Sequence, residues 1–278
     1  MTAIDTHAPV QDQSTQPLLL REDRGGIALL TLNRPQSRNS LSEALLLSLR
    51  DTLGELAASP AISVIVLTGA PPVFCAGHDL REMTARRQDA DCGRAFFRHL
   101  MGLCSEVMQA VMNCPKPVVA AVNGTATAAG CQLVASCDLA IASEDAKFAT
   151  PGVNIGLFCS TPMVALSRNV PRKHAMEMLL LGESVDAGQA LQMGLVNRIV
   201  PADQVLASAL QMAGIIASKS SVTIKFGKEA FYRQLEMPVA EAYDYAAEIM
   251  TENMLARDAE EGIGAFLEKR PPRWGEPD

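Results

Sequence analysis

Three small residues in a row, Ala128-Ala129-Gly130, open a helix just after a strand and an Asn123-Gly124 turn. Small side chains leave the backbone uncovered, so the unpaired N–H groups of the first turn can point at a ligand. Added to the positive end of the helix dipole, they suit an oxygen that carries or develops negative charge. The same residues would also let a helix pack closely on a sheet, and this stretch alone does not choose between the two. A second candidate is Phe74-Cys75-Ala76-Gly77-His78-Asp79-Leu80, a short strand ended by a glycine turn. His78 could serve as a general acid or base, whereas capping of the next helix explains Asp79. Cys159, Ser160 and Thr161 offer a nucleophile or hydrogen-bond donors. No histidine lies near them in sequence to activate a thiol, and core packing explains Cys159. The four scattered histidines give no Ser-His-Asp order and no zinc-ligand spacing, so no metal site is expected.

The elements that must position these residues follow from apolar periodicity. Pro117 to Pro151 is the organising stretch: a buried strand over Val118 to Val122, the helix at Ala128, then a second strand over Leu139 to Ala142. Upstream, a Gly25-Gly26 turn precedes a strand over Ile27 to Leu32. Ser40 and Glu43 read as a capping box for a helix with Leu45, Leu49, Leu53 and Leu56 on its apolar stripe. A strand over Ser63 to Leu67 and a helix over Arg94 to Met112 follow. Downstream, the pattern predicts a loop from Gly152 to Thr161 and one helix from Met163 to Leu181. A helix from Ala187 to Gly194 and a strand from Leu195 to Val200 come next. From Val205 the chain reads as helix almost to its end, closing on a basic-aromatic tail. The expected organisation is a tail over 1–16, a core over 17–204 and a helical region over 205–278, with strands alternating with helices in the α/β manner.

Composition narrows the function. At 278 residues, 48% hydrophobic and 20% charged, the chain can bury one large core. A net charge of −7 argues against general nucleic-acid binding, so an anionic ligand must be met by a local basic patch. Seven cysteines, an odd number without a CxxC pair, fit free thiols in a reducing compartment. The first sixteen residues are polar, expected to be disordered, and carry no arginine or apolar core. The apolar stretch around Val118 is interrupted too soon for a membrane span. The expectation is a soluble, cytoplasmic protein with no membrane partner.

The two candidate stretches, with LNRPQSRNSLS and the terminal EGIGAFLEKR, resemble the crotonase, or enoyl-CoA hydratase/isomerase, family over about residues 18 to 272. The run VNGTATAAGCQLVASCDLAIAS is similar to one subgroup of that family without a secure reaction. The resemblance implies a spiral of strand-strand-helix turns, a helical C-terminal trimerisation region, trimers that often pair into hexamers, and an acyl-CoA thioester ligand. No cofactor is implied beyond the coenzyme A of the substrate. It implies an oxyanion hole made by the backbone N–H groups of His78 and Ala129; Ala129 stands where glycine is frequent. Its coenzyme-A-contacting positions map onto Ala76, His78, Asp79, Leu80 and Arg81, with Arg38 a weaker candidate, and Phe266 and Lys269 reaching a neighbouring subunit's ligand. The two glutamates of the hydratases fall on Gln132 and Gly152, and a further acidic position on Ser160. Glutamine can hold water but exchanges no proton near neutral pH, and glycine does neither. The resemblance therefore implies enolate stabilisation with poor hydration, leaving decarboxylation of a malonyl-type thioester or thioester hydrolysis. The alternatives are a non-catalytic acyl-CoA-binding relative or a weak hydratase of fatty-acid metabolism.

Overall fold

The computed structural model describes residues 16–275. All but Gln16 of the expected disordered tail lies outside them. Apolar strand runs and helix stripes produce a main sheet and a small one. Strand β1 (Leu19–Arg24) turns through Gly25-Gly26 into β2 (Ile27–Leu32), an antiparallel pair. Helix α1 (Glu43–Ala58) leads to β3 (Val64–Gly69), and α2 (Leu80–Ala85) and α3 (Arg94–Asn113) lead to β4 (Val118–Val122). Then come β5 (Ala126–Thr127), α4 (Ala129–Ser136), β6 (Leu139–Ser143) and β7 (Lys147–Ala149). Helices α5 (Pro162–Asn169) and α6 (Arg172–Leu181) precede β8 (Ser184–Asp186), α7 (Ala187–Gln192) and β9 (Arg198–Val200). The chain closes with α8 (Val205–Ala217), α9 (Ser221–Gln234), α10 (Val239–Leu255) and α11 (Arg257–Glu268).

The main sheet has the order β1-β2-β3-β4-β6-β9, and the small one β5-β7-β8. From β2 to β9 every neighbouring pair is parallel. Each turn of the chain lays one strand in the main sheet, one at the small sheet, and then a helix. The turns β4-β5-α4 and β6-β7-α5 show this directly, and Cys75 joins the small sheet by a bridge to Ala126. This is the expected spiral of strand-strand-helix turns. Parallel strands are covered on both faces. One face buries Leu30, Leu32, Ile65 and Leu67 with the stripes of α1 and α3; the other buries Val64, Val66, Val119 and Ile141 under Val205, Ala209 and Met212 of α8.

Three readings need correction. Ser40 does not cap α1: its hydroxyl faces Asp79 at 3.4 Å, and Ser42 is the N-cap, accepting from Leu45 N. The single helix over 163–181 is two, broken where Pro171 cannot donate into the ladder. The expected strand over 195–200 is only Arg198–Val200, because Leu195 and Val196 fold back on Ala190 of α7. The end of the chain is helical as expected, divided into four helices with Pro238 at one break.

Candidate active site

Two backbone ribbons build the site. In the first, the segment after β2 pairs with the segment before α2: Ala76 N donates to Arg38 O, Leu41 N to Gly77 O, and Asp79 N to Leu41 O. Leu41 thereby bridges both flanks of His78, so the N–H of His78 points away from it. Asn39, fully buried, locks this ribbon by donating to Ala70 O and Val73 O. In the second ribbon, Phe74 N and Cys75 N donate to Thr125 O, and Thr127 N donates back to Cys75 O. The first turn of α4 is thus carried alongside Gly77-His78. The approach is tight: a Cβ at Gly77 would lie 2.9 Å from Ala128 Cβ and 3.2 Å from Ala129 N. A Cβ at Gly130 would lie 2.2 Å from Cys75 O.

Ala128 turns the chain into α4 at φ 50°, ψ −118°, a conformation that favours glycine. Its N–H donates to Ala149 O of β7 and its carbonyl accepts from Gln132 N, so the peptide is held from both sides. Ala129, first residue of α4, has no acceptor a turn earlier. Neither its N–H nor that of His78 has a hydrogen-bond partner among the described residues. Two free backbone donors on adjoining segments, one of them at a helix start, can meet an oxygen that carries negative charge.

Buried side-chain atoms without partners include Oε1 of Gln132, Oγ1 of Thr150 and both ring nitrogens of His78; by backbone bonds Gln132 and Ala149, the neighbour of Thr150, both join Ala128. Burial pushes the His78 imidazole below its ordinary pKa, against a smaller opposing effect of the Leu41 backbone, so the ring stays neutral near pH 7. Gln132 is 4% exposed, on the second turn of α4. Gly152 is buried in a tight turn, and a Cβ there would lie 2.6 Å from Leu157 O and 3.0 Å from Cys159 Sγ. The Cys159 thiol therefore fills the space into which a side chain at 152 would project. Burial pushes that thiol up, partly offset by the Gly152 amide, which disfavours a reactive thiolate.

The remaining expected residues divide. Asp79 caps α2, accepting from Arg81 N and Glu82 N. Burial works to raise its carboxyl, but the Arg34 guanidinium at 3.0 Å and the capping amides hold it below its ordinary value. Arg38 and Arg81 are exposed on the two strands of the first ribbon and its helix, and Leu80 is 49% exposed beside them. Ala76 sits inside the same ribbon. Ser160 is exposed and its hydroxyl donates to Phe158 O, so it is turned back on its own loop. Phe266 and Lys269 are not brought to the site within one chain: they lie on or just after α11, which packs on α9 and α10, and Phe266 is 81% exposed. Sequence reasoning missed Arg34 and Thr150, and it named Ala128 as a small residue without its positive φ. An Arg-Pro turn and a Thr-Pro turn are ordinary loop signals, and nothing in an alanine announces a positive φ.

A strand-strand-helix spiral that sets two free amides beside a helix start defines a crotonase-type protein. The enoyl-CoA hydratase/isomerase family model matches residues 22–277, and the chain belongs to that family. It is similar to enoyl-CoA hydratase domain-containing protein 3, mitochondrial, of Rattus norvegicus: 46% identical over 266 residues, covering 96% of this chain and 87% of the relative. The Homo sapiens protein of the same name is 47% identical over 249 residues, covering 90% and 80%. A crystal structure of the human protein superposes with a TM-score of 0.88 at 44% identity, covering 93% of this chain and 100% of that one. An enoyl-CoA hydratase structure from Mycobacterium smegmatis gives 0.89 at 48% identity, covering 93% and 99%. The subgroup resemblance seen in the VNGTATAAGCQLVASCD run is therefore to these proteins. The expected cytoplasmic location is corrected, since the rat, mouse and human relatives are named as mitochondrial proteins. The free thiols behind it carry little weight: six of the seven are buried, where a thiol packs as a small apolar group.

Proposed function

We propose that this protein binds an acyl-CoA thioester, holds its carbonyl oxygen between the N–H groups of His78 and Ala129, and stabilises the enolate formed there. The observation that carries this is the pair of unbonded amides fixed by the two ribbons. Each such preorganised donor contributes about 2.7–4 kcal/mol when negative charge develops on the oxygen. The phosphates need cations in a chain of net charge −7; exposed Arg38 and Arg81 at the ribbon supply them. Coenzyme A enters as part of the substrate, and no other cofactor is required.

Hydration should be poor. It needs one carboxylate to take a proton from water and another acid to deliver one. Gln132 can do neither, and Gly152 is occupied in space by Cys159 and the Leu157 carbonyl. Thioester hydrolysis through Cys159 is disfavoured by burial of its thiol. A second reading is favoured by the same absence of a base: loss of CO₂ from a malonyl-type thioester generates the enolate without one. The exposed apolar residues Val239, Tyr243, Leu255, Phe266 and Leu267 of α10 and α11 suit burial in a trimer. There Phe266 and Lys269 would meet a neighbouring subunit's ligand.

Single-turnover incubation with crotonyl-, malonyl-, acetyl- and butyryl-CoA, read by mass spectrometry, tests the reading. The expected result is binding throughout, little hydrated crotonyl-CoA, and any turnover confined to malonyl-CoA. Failure of every thioester to bind at millimolar concentration overturns it.

A further inference from the structure

We propose that Arg34 is a positioning residue of this site: its guanidinium sets the direction of the His78 N–H through a relay of two peptide planes. The inference rests on the acyl-CoA reading above and deepens it. Gly77 has φ 89°, in the left-handed region open to glycine, so the Gly77–His78 peptide that follows can turn over with little steric cost. Turned over, it would present the Gly77 carbonyl where the His78 N–H should be, and an acceptor would meet the thioester oxygen. What holds the donor in place must therefore come from outside that peptide.

Gly77 O accepts from Leu41 N at 2.8 Å. Leu41 N shares its peptide with Ser40 O, and that oxygen accepts from Arg34 Nη1 at 2.6 Å. Arg34 thus grips one end of a peptide plane whose other end pins the Gly77–His78 plane. The second arm of the guanidinium, Nη2, donates to Asp79 Oδ2 at 3.0 Å, on the other flank of His78. Asp79 Oδ1 accepts from Arg81 N and Glu82 N, which fixes the same carboxylate to α2. One planar fork therefore ties both strands of the first ribbon across the donor, a geometry that lysine cannot reproduce. The strand it grips needs holding, because Arg38 and Asn39 are consecutive non-glycine residues at φ 52°, each in a costly conformation. Fold stability alone does not explain the arrangement: the Arg34 side chain is 11% exposed and its buried Nε has no partner among the described residues, a costly way to keep a cation. The ion pair also neutralises Asp79, which would otherwise set an uncompensated carboxylate one residue from a donor that must meet negative charge.

The test is difference infrared spectroscopy of bound acetyl-CoA with an isotope-labelled thioester carbonyl, read beside the Tm of each variant. Donated hydrogen bonds weaken the C=O bond, so the carbonyl bound to the wild type should stretch at lower frequency than the free thioester in buffer. Arg34→Met keeps the side chain's bulk and removes the fork; it should lose about half of that shift, the share of one donor out of two. Asp79→Asn keeps the cap of α2 but turns an amide donor against the guanidinium, and it too should lose part of the shift. A lower Tm with the bound carbonyl still at its wild-type frequency would show a structural role only, and overturns the proposal while leaving thioester binding intact. If Arg34→Met does not fold, Asp79→Asn decides, and an unchanged shift there overturns the proposal equally. If the wild type binds no acetyl-CoA, or leaves its carbonyl unshifted, the acyl-CoA reading falls first and this one with it.

Discussion

Gly130→Ala probes the junction that brings the two amides together. The new Cβ would sit 2.2 Å from the Cys75 carbonyl oxygen, 2.8 Å from its carbon and 2.9 Å from Cys75 Cβ. An ordinary carbon–oxygen contact is about 1 Å longer, and the obstacle is mostly backbone, which cannot swing aside. Alanine gains at most about 1 kcal/mol in helix propensity over glycine, less in the first turn of α4. Overpacking of a tight interior costs about 1–3 kcal/mol. Separation of the Cys75 strand from α4 therefore outweighs propensity, for a net loss of about 1–2 kcal/mol. At about 2–4 °C per kcal/mol for a chain of this size, calorimetry should show Tm lower by about 2–8 °C. The same separation moves His78 N from Ala129 N, so acetyl-CoA affinity should fall as well, by about tenfold. An unchanged or higher Tm with unchanged affinity would refute the reasoning, because it would mean the two ribbons do not hold the amides in register.

Ala128→Gly should act in the opposite direction on stability. The positive φ of Ala128 costs about 1–3 kcal/mol, so its relief raises Tm by about 2–4 °C after the entropy of glycine is counted; a lower Tm in a thermal scan would contradict it. Lys228→Met should destabilise by about 3–5 kcal/mol in urea unfolding. It strands Asp138, whose carboxylate lies 2.6 Å from Lys228 Nζ with side chains 16% and 7% exposed; a loss under about 1 kcal/mol would show that Tyr232 and the Val118 amide suffice to hold it. His78 has a folded pKa below its ordinary 6.5, so the unfolded chain takes up the proton first. Its contribution is complete above pH 6.5 and is lost as pH falls from there toward the folded value. The Tm difference between the wild type and His78→Phe should accordingly shift against the wild type between pH 7 and pH 5; a pH-independent difference would show that the ring is not buried neutral.

The parts of this structure readable in the sequence are those fixed by local pattern. β2, β4, α1 and α3 declare themselves because an apolar strand run or a helical stripe is many residues long. Strands β5, β7 and β8 do not: each is two or three residues whose extended form comes from long-range partners. The same limit explains Ser40, whose hydroxyl is drawn to Asp79, 39 residues away and paired with Arg34, rather than to the helix beside it. In the site, the small residues at α4 and the glycine before His78 were visible as close-approach signals. That Cys159 fills the slot at Gly152, and that Thr150 and Gln132 flank Ala128, depends on loops brought together by the small sheet. Asp138, Lys228 and Tyr232, which tie α9 to the end of β4, show no pattern at spacings of about 90 residues.

An oxyanion-stabilising pair without the acid and base of hydration is the central claim, and the rate of crotonyl-CoA hydration by the wild-type protein tests it most directly. General acid–base catalysis contributes about 10²–10⁴-fold. Against an ordinary enzyme turnover of about 10 s⁻¹, hydration under saturating, single-turnover conditions should therefore be slower by at least about 10²-fold, with the thioester bound. A rate in the ordinary range would contradict the account: another group would then supply the protons, and the exchange of carboxylates for Gln132 and Gly152 would not have disarmed the site.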